Sequence, residues 1–345
     1  MLDNNSPEKS SSPAPTFWTL LPPHFLCLAP MEGVTDVVFR SVVKQAAAPD
    51  VFFTEFTNVS SFASEKGRAN AIERLDIAGK TSLITESQEN SHPPYLVAQI
   101  WGKNPAHFKE TAAALKEHGF DGLDINMGCP DRHVNKAGGG AAMINTPELA
   151  IECIKMAKSA TTLPVSVKTR LGYSFIHEYK NWLPLLLNEH PAALTVHLRT
   201  RKEMSKVPAH FELIPEIIKL KNQISPQTKL IINGDISDKN AAKSLAKKYP
   251  EVDGFMIGRG IFQNPFCFSE YQPSREELQE LFLYHLDLFD KRAAELSARG
   301  SHYPYEPLKH FFKIYISGFD GSKELRSKLM ECKSTKELRA ILSTI

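Results

Sequence analysis

The 345-residue chain lacks most of the features that would place it outside ordinary soluble proteins. It has five cysteines, Cys27, Cys129, Cys153, Cys267 and Cys332, and no two are spaced C-x-x-C. No His/Cys cluster has zinc spacing, so a structural or catalytic zinc site is not expected. Scattered, odd-numbered cysteines argue against a disulfide framework and for a reducing compartment. No uninterrupted apolar run is long enough to cross a bilayer. The stretch Phe17 to Pro30 has no basic flank and is broken by Pro22-Pro23, so it does not read as a signal peptide. Cytoplasmic residence and a monomer are the expectations. Excess charge is also missing. The net charge is only +2, so any nucleic-acid contact must come from a local surface.

Hydrophobic residues make up 42% of the chain and charged residues 23%, enough to bury a core without covalent staples. The length fits one barrel plus an appendage. Residues 1–16 are polar and rich in Ser and Pro, and read as a disordered tail.

Eight short apolar runs follow. They are Phe25–Met31, Val51–Phe56, Tyr95–Ile100, Gly122–Met127, Pro164–Lys168, Ala193–His197, Lys229–Asn233 and Gly254–Ile257. Most show no polar alternation, as expected of parallel strands covered on both faces. Between them lie segments of helical spacing, among them Pro105–His118, Pro147–Ser159, Phe211–Lys221 and Ser237–Lys248. Asn104 and Thr146 stand at the capping positions before Pro105 and Pro147. This alternation predicts a (β/α)₈ TIM barrel over residues 17–272. A doubly wound open sheet is the alternative, and the count of eight favours the barrel.

From residue 273 to 345 no strand pattern recurs. Ser274–Arg299 predicts a long helix opened by a Ser274/Glu277 capping box, and further helices are expected at Tyr305–Ser317, Ser322–Met330 and Ser334–Ser343. This is a small all-helical domain. Between 275 and 345 it carries 12 Lys+Arg against 11 Asp+Glu, so it is nearly neutral.

In such a barrel the active site lies at the C-terminal ends of the strands. Polar residues gather there on all eight: Glu32; Glu55 and Asn58; Gln99; Asp124 and Asn126; Lys168 and Arg170; His197, Arg199 and Arg201; Asn233 and Asp235; Arg259. Packing alone does not explain a complete set. Turns after the seventh and eighth strands commonly hold a phosphate, and Gly234, Gly258 and Gly260 let backbone approach a ligand. Arg259 adds a charged contact. Lys168, at the end of an apolar strand, needs a ligand or a carboxylate partner such as Asp124. His197 is either a core histidine or a donor to a ligand ring. Cys129, between Gly128 and Pro130, is a thiol suited to donate a proton or to act as nucleophile.

Taken in order, these motifs resemble the tRNA-dihydrouridine synthase family. They are Ala29-Pro30-Met31-Glu32-Gly33-Val34-Thr35-Asp36, Asp124-Ile125-Asn126-Met127-Gly128-Cys129-Pro130 and Lys136 to Met143. Val167-Lys168-Thr169-Arg170-Leu171-Gly172, Asn233-Gly234-Asp235-Ile236 and Met256-Ile257-Gly258-Arg259-Gly260 complete the set. The resemblance implies FMN across the barrel mouth. Pro30, Met31 and Glu32 would line its ring, Gln99 and Lys168 would contact it, and His197 would sit beside it. Asn233, Gly234, Asp235, Gly258 and Arg259 would hold its phosphate. NADPH would reduce it, hydride would pass to C6 of a uracil, and Cys129 would protonate C5. Asn126, Arg170 and Arg199 would contact the tRNA substrate, and the helical domain would bind tRNA. The family usually carries His-Gly-Arg-Thr or His-Ala-Arg-Thr where this chain has His197-Leu198-Arg199-Thr200. The competing expectations are a small-molecule FMN barrel oxidoreductase of the dihydroorotate dehydrogenase kind, and a tRNA-binding protein with an inactive site.

Overall fold

A computed structural model describes residues 16–75 and 94–344. Apart from Thr16, the expected N-terminal tail lies outside the described residues. The eight expected strands are present: β1 (Phe25–Leu28), β2 (Val51–Asn58), β3 (Tyr95–Trp101), β4 (Gly122–Met127), β5 (Val165–Arg170), β6 (Ala193–His197), β7 (Lys229–Asn233) and β8 (Gly254–Ile257). All pair in parallel, in chain order, and β8 pairs with β1 to close the barrel. The open-sheet alternative is excluded.

Side chains alternate along each strand, so each strand feeds two environments. Leu26 and Leu28 pack outward among the helices, with Ile125, Val167, Leu194 and Ile232. Cys27, Val51, Phe53, Val97, Ala193, Ile231 and Met256 point inward and form a separate cluster. Its outer end is plugged by the short helix Phe17–Leu20, whose buried Phe17 and Trp18 rings lie 4.5 Å apart, tilted by 33°. Each such buried ring removes apolar area worth about 1.5–3 kcal/mol from water.

The helices form largely where the sequence places them. Helix Pro105–Leu115 starts at its proline, and Asn104 Oδ1 accepts from the Ala106 N–H at 3.0 Å. Helix Pro147–Ala160 corrects the parallel expectation for Thr146, whose side chain makes no cap bond. There a 3₁₀ turn (Gly140–Asn145) runs straight into the helix, and the Thr146 N–H closes it on Met143 O.

Helix Arg275–Ala298 has the Ser274/Glu277 capping box and packs on the barrel helix Val37–Ala47. Phe311 meets Phe39 of that barrel helix at 4.5 Å and Phe262, just after β8, at 6.4 Å. Asp36 caps the barrel helix through the Phe39 N–H and also accepts from the Tyr303 hydroxyl. The C-terminal helices therefore share one continuous core with the barrel shell at the β8–β1 side. Among the described residues, no helix is long and apolar enough to cross a membrane.

Candidate active site

Above the apolar plug the inward positions become polar. Ser166 Oγ donates to Asp124 Oδ1 (2.6 Å), and Gln99 Nε2 donates to Asp124 Oδ2 (2.7 Å). Asn126 Nδ2 donates in turn to Gln99 Oε1 at 3.0 Å. Burial pushes Asp124 up to about 6, even against these hydrogen bonds and the nearby Lys168 charge. Over this layer opens a cavity of about 860 Å³, within the size range of cofactor sites.

The Cys129 loop is held from several sides. Asn126 Oδ1 accepts from the Gly128 N–H (3.1 Å) and the Cys129 N–H (2.9 Å). Cys129 O accepts from the Ala141 N–H (3.0 Å) and Asn135 Nδ2 (2.8 Å). This explains the glycine run behind it. Gly140 has φ +58, and a Cβ there would stand 2.8 Å from Cys129 O. Burial raises the Cys129 thiol above its ordinary value, outweighing the Asp131 backbone N–H and the charges of Lys168 and Arg170. At neutral pH the sulfur therefore keeps its proton.

Lys168 faces the cavity and donates to Asn233 Oδ1 at 3.2 Å, rather than pairing with Asp124. Burial, reinforced by the Arg170 charge, brings its ammonium down to about 8. The same burial and the cations Arg170, Lys168, Arg199 and Arg259 hold His197 well below its usual value, so it is neutral. Arg199 Nη1 lies 3.2 Å from His197 Nε2. A guanidinium only donates, so Nε2 accepts and the ring proton sits on Nδ1.

The turns after β7 and β8 form the opposite wall. Gly234 has φ +115, and a Cβ there would come within 3.1 Å of the His197 ring. Asp235 is itself left-handed at φ +49. A Cβ on Gly258 would meet only Ala29 Cβ, at 3.6 Å, so a side chain there would occupy the cavity. Gly260 serves packing, since a Cβ would lie 2.0 Å from Ser237 O. Arg259 is exposed, with Nη2 3.6 Å from Asp235 Oδ1. Exposed ion pairs of this kind are weak, which leaves the guanidinium available to an anion.

Of the residues singled out from the sequence, the cavity brings together Pro30, Met31, Asn126, Cys129, Lys168, Arg170, His197, Arg199, Asn233, Gly234, Asp235, Gly258 and Arg259. Gln99 lies fully buried beneath the floor and Glu32 pairs with Arg74 outside it, so neither lines the cavity. Arg170 and Arg199, besides lining the cavity, brace its loops. Arg170 is buried and donates to Gly128 O (2.7 Å), Thr200 O (3.1 Å) and Met204 O (3.0 Å). Arg199 is 2% exposed and is engaged by Val207 O, His197 and Asp235. The Asp235 carboxylate accepts from Arg199 and from the Ala209 N–H. Asn58, another polar strand end, caps the helix Val59–Ala63. Lys313 of the C-terminal helices also lines the cavity, beside Phe262 and Gln263. Only tertiary packing brings it there. Leu198, the departure at the end of β6, is fully buried in the outer shell, where its size is accommodated.

A family profile described as Dihydrouridine synthase (Dus) matches residues 27–345. A probable tRNA-dihydrouridine synthase 2 of Bacillus subtilis (strain 168) is 50% identical over 329 residues, covering 94% of this chain and 95% of that protein. A probable tRNA-dihydrouridine synthase of Staphylococcus aureus (strain Mu50 / ATCC 700699) is 48% identical over 329 residues, covering 94% of each. Among solved structures, histamine dehydrogenase from Rhizobium sp. 4-9 superposes with a TM-score of 0.52 at 14% identity. That match covers 76% of this chain and 49% of the other, and it shows a shared barrel fold.

Proposed function

The chain belongs to the dihydrouridine synthase family, and from that premise we propose that it reduces the C5=C6 bond of specific tRNA uridines to 5,6-dihydrouridine, with FMN as cofactor and NADPH as reductant. The observation that carries the assignment is the Cys129 thiol. It is kept protonated and locked by Asn126 at the edge of a cavity whose far wall is a glycine turn beside Arg259.

The residues present fit a flavin mononucleotide. Gly234 and Gly258 leave backbone open where a Cβ would intrude, and Arg259 supplies an exposed cation for a phosphate. Lys168, tethered by Asn233, offers positive charge to an electron-rich ring. Neutral His197 offers a hydrogen bond without adding charge. When bound, the flavin supplies hydride transfer to C6 of the uracil. Cys129 holds the proton for C5. Asn126, Gln99 and Asp124 act through one another to fix its loop, and Arg170 pins Gly128 to the loop after β6.

A uridine must leave its stack to reach this cavity. The C-terminal helices, with Lys313 at the mouth, would take up tRNA by shape and phosphate contacts. A small-molecule oxidoreductase needs no such second element. A tRNA substrate is compatible with cytoplasmic residence. The test is direct. Purified protein loaded with FMN and given NADPH should convert an unmodified tRNA transcript, read as dihydrouridine by mass spectrometry. Flavin reduction with no dihydrouridine in any tRNA would overturn the proposal.

A further inference from the structure

On the rim beyond Arg170, the loop after β5 carries an exposed aromatic pair. Phe175 is 57% exposed, and its ring stacks on the exposed His177 ring at 5.5 Å and 14°. The loop is fixed. The Glu178 carboxylate accepts from the N–H groups of Tyr173, Ser174 and Phe175. Gly172 O and Tyr173 O accept from the N–H groups of Arg201 and Lys202, both at 2.9 Å, tying it to the loop after β6. That second loop runs into the cavity, where Met204 and Ser205 form part of the wall.

One cation stands against the pair and others lie on the adjoining loop. Lys202 Nζ lies 5.9 Å from the Phe175 ring centre, Arg201 lies 5.2 Å from that of Tyr173, and Lys206 is exposed nearby in sequence. A fixed, exposed aromatic pair edged by Lys202 matches the chemistry of single-stranded nucleic-acid platforms, where bases stack and cations meet phosphates.

We propose that Phe175 and His177 form a stacking platform for an unpaired base of the RNA substrate, next to the uridine that enters the cavity, with Lys202 meeting the adjoining phosphate. The proposal rests on the tRNA substrate assigned above.

The experiment measures binding of an unmodified tRNA transcript to the full-length protein at fixed salt. Phe175→Ala should raise Kd about tenfold, Phe175→Trp should stay within about twofold of wild type, and Phe175→Leu should behave like alanine. Lys202→Ala should weaken binding and lower the salt slope by about one. Flavin content and the rate of flavin reduction by NADPH should not change, because Phe175 is outside the cavity wall. An unchanged Kd for Phe175→Ala, or leucine serving as well as tryptophan, would overturn the platform while leaving uridine reduction intact. A wild-type protein that binds no tRNA would overturn the functional assignment, and the platform with it.

Discussion

The two halves of the barrel interior are built from the same strands and differ in almost every inward residue. Towards the N-terminal ends β1, β2, β3, β7 and β8 contribute Cys27, Val51, Phe53, Val97, Ile231 and Met256, closed by Phe17 and Trp18. Towards the C-terminal ends β3 to β7 contribute Gln99, Asp124, Asn126, Lys168, His197 and Asn233. The lower half needs only volume and apolar contact. The upper half buries polar groups, each a cost unless partnered. Most are paired, through the chain from Ser166 and Asp124 to Gln99, Asn126 and the Cys129 loop. Stability and chemistry are thus separated along each strand, and mutations at the two ends should have separable effects.

The largest expected effect is at the top. Cys129→Ala should lower uridine reduction by about 10²- to 10⁴-fold, the usual range for losing a positioned proton donor. Flavin content and thermal stability should stay near wild type, since the thiol lines the cavity and its loop is held through backbone atoms. Wild-type turnover in this variant would remove Cys129 as the acid.

Next comes the bottom. Phe53→Ala should cost about 3–5 kcal/mol of stability, read from denaturant unfolding. The fraction that stays folded should bind flavin and turn over as wild type does. A collapse of turnover in folded Phe53→Ala protein would break the separation of the two halves.

The smallest effect is a pH limb. Lys168 is cationic below about 8 and neutral above it. Retention of reduced, anionic flavin should therefore weaken as pH rises through that value, and Lys168→Gln should flatten the limb. An identical pH profile in the variant would take Lys168 out of the site.

Much of this was legible in the sequence for a physical reason. Parallel strands covered on both faces read as short apolar runs, and their C-terminal ends betray chemistry because a polar residue that closes an apolar run is costly unless it meets a partner or a ligand. The destinations of long side chains were not legible. Arg170 and Arg199 stand at strand ends and line the cavity, and nothing in the sequence shows that each also holds loop carbonyls. Lys313 lies more than fifty residues past the last strand and reaches the cavity only because Phe311 docks between Phe39 and Phe262. Thr146 has the right residue type for a cap, but its backbone, at φ −133 and ψ 62, departs from the extended conformation usual for a capping residue.

The central claim is that the upper half of this barrel reduces tRNA uridine through the Cys129 thiol. It is tested most directly by mapping dihydrouridine across all tRNAs of a strain lacking the gene, with wild-type or Cys129→Ala protein restored. The account predicts loss at defined uridines, recovered by wild type and not by Cys129→Ala. An unchanged map in the deletion strain, or full recovery with Cys129→Ala, would contradict it.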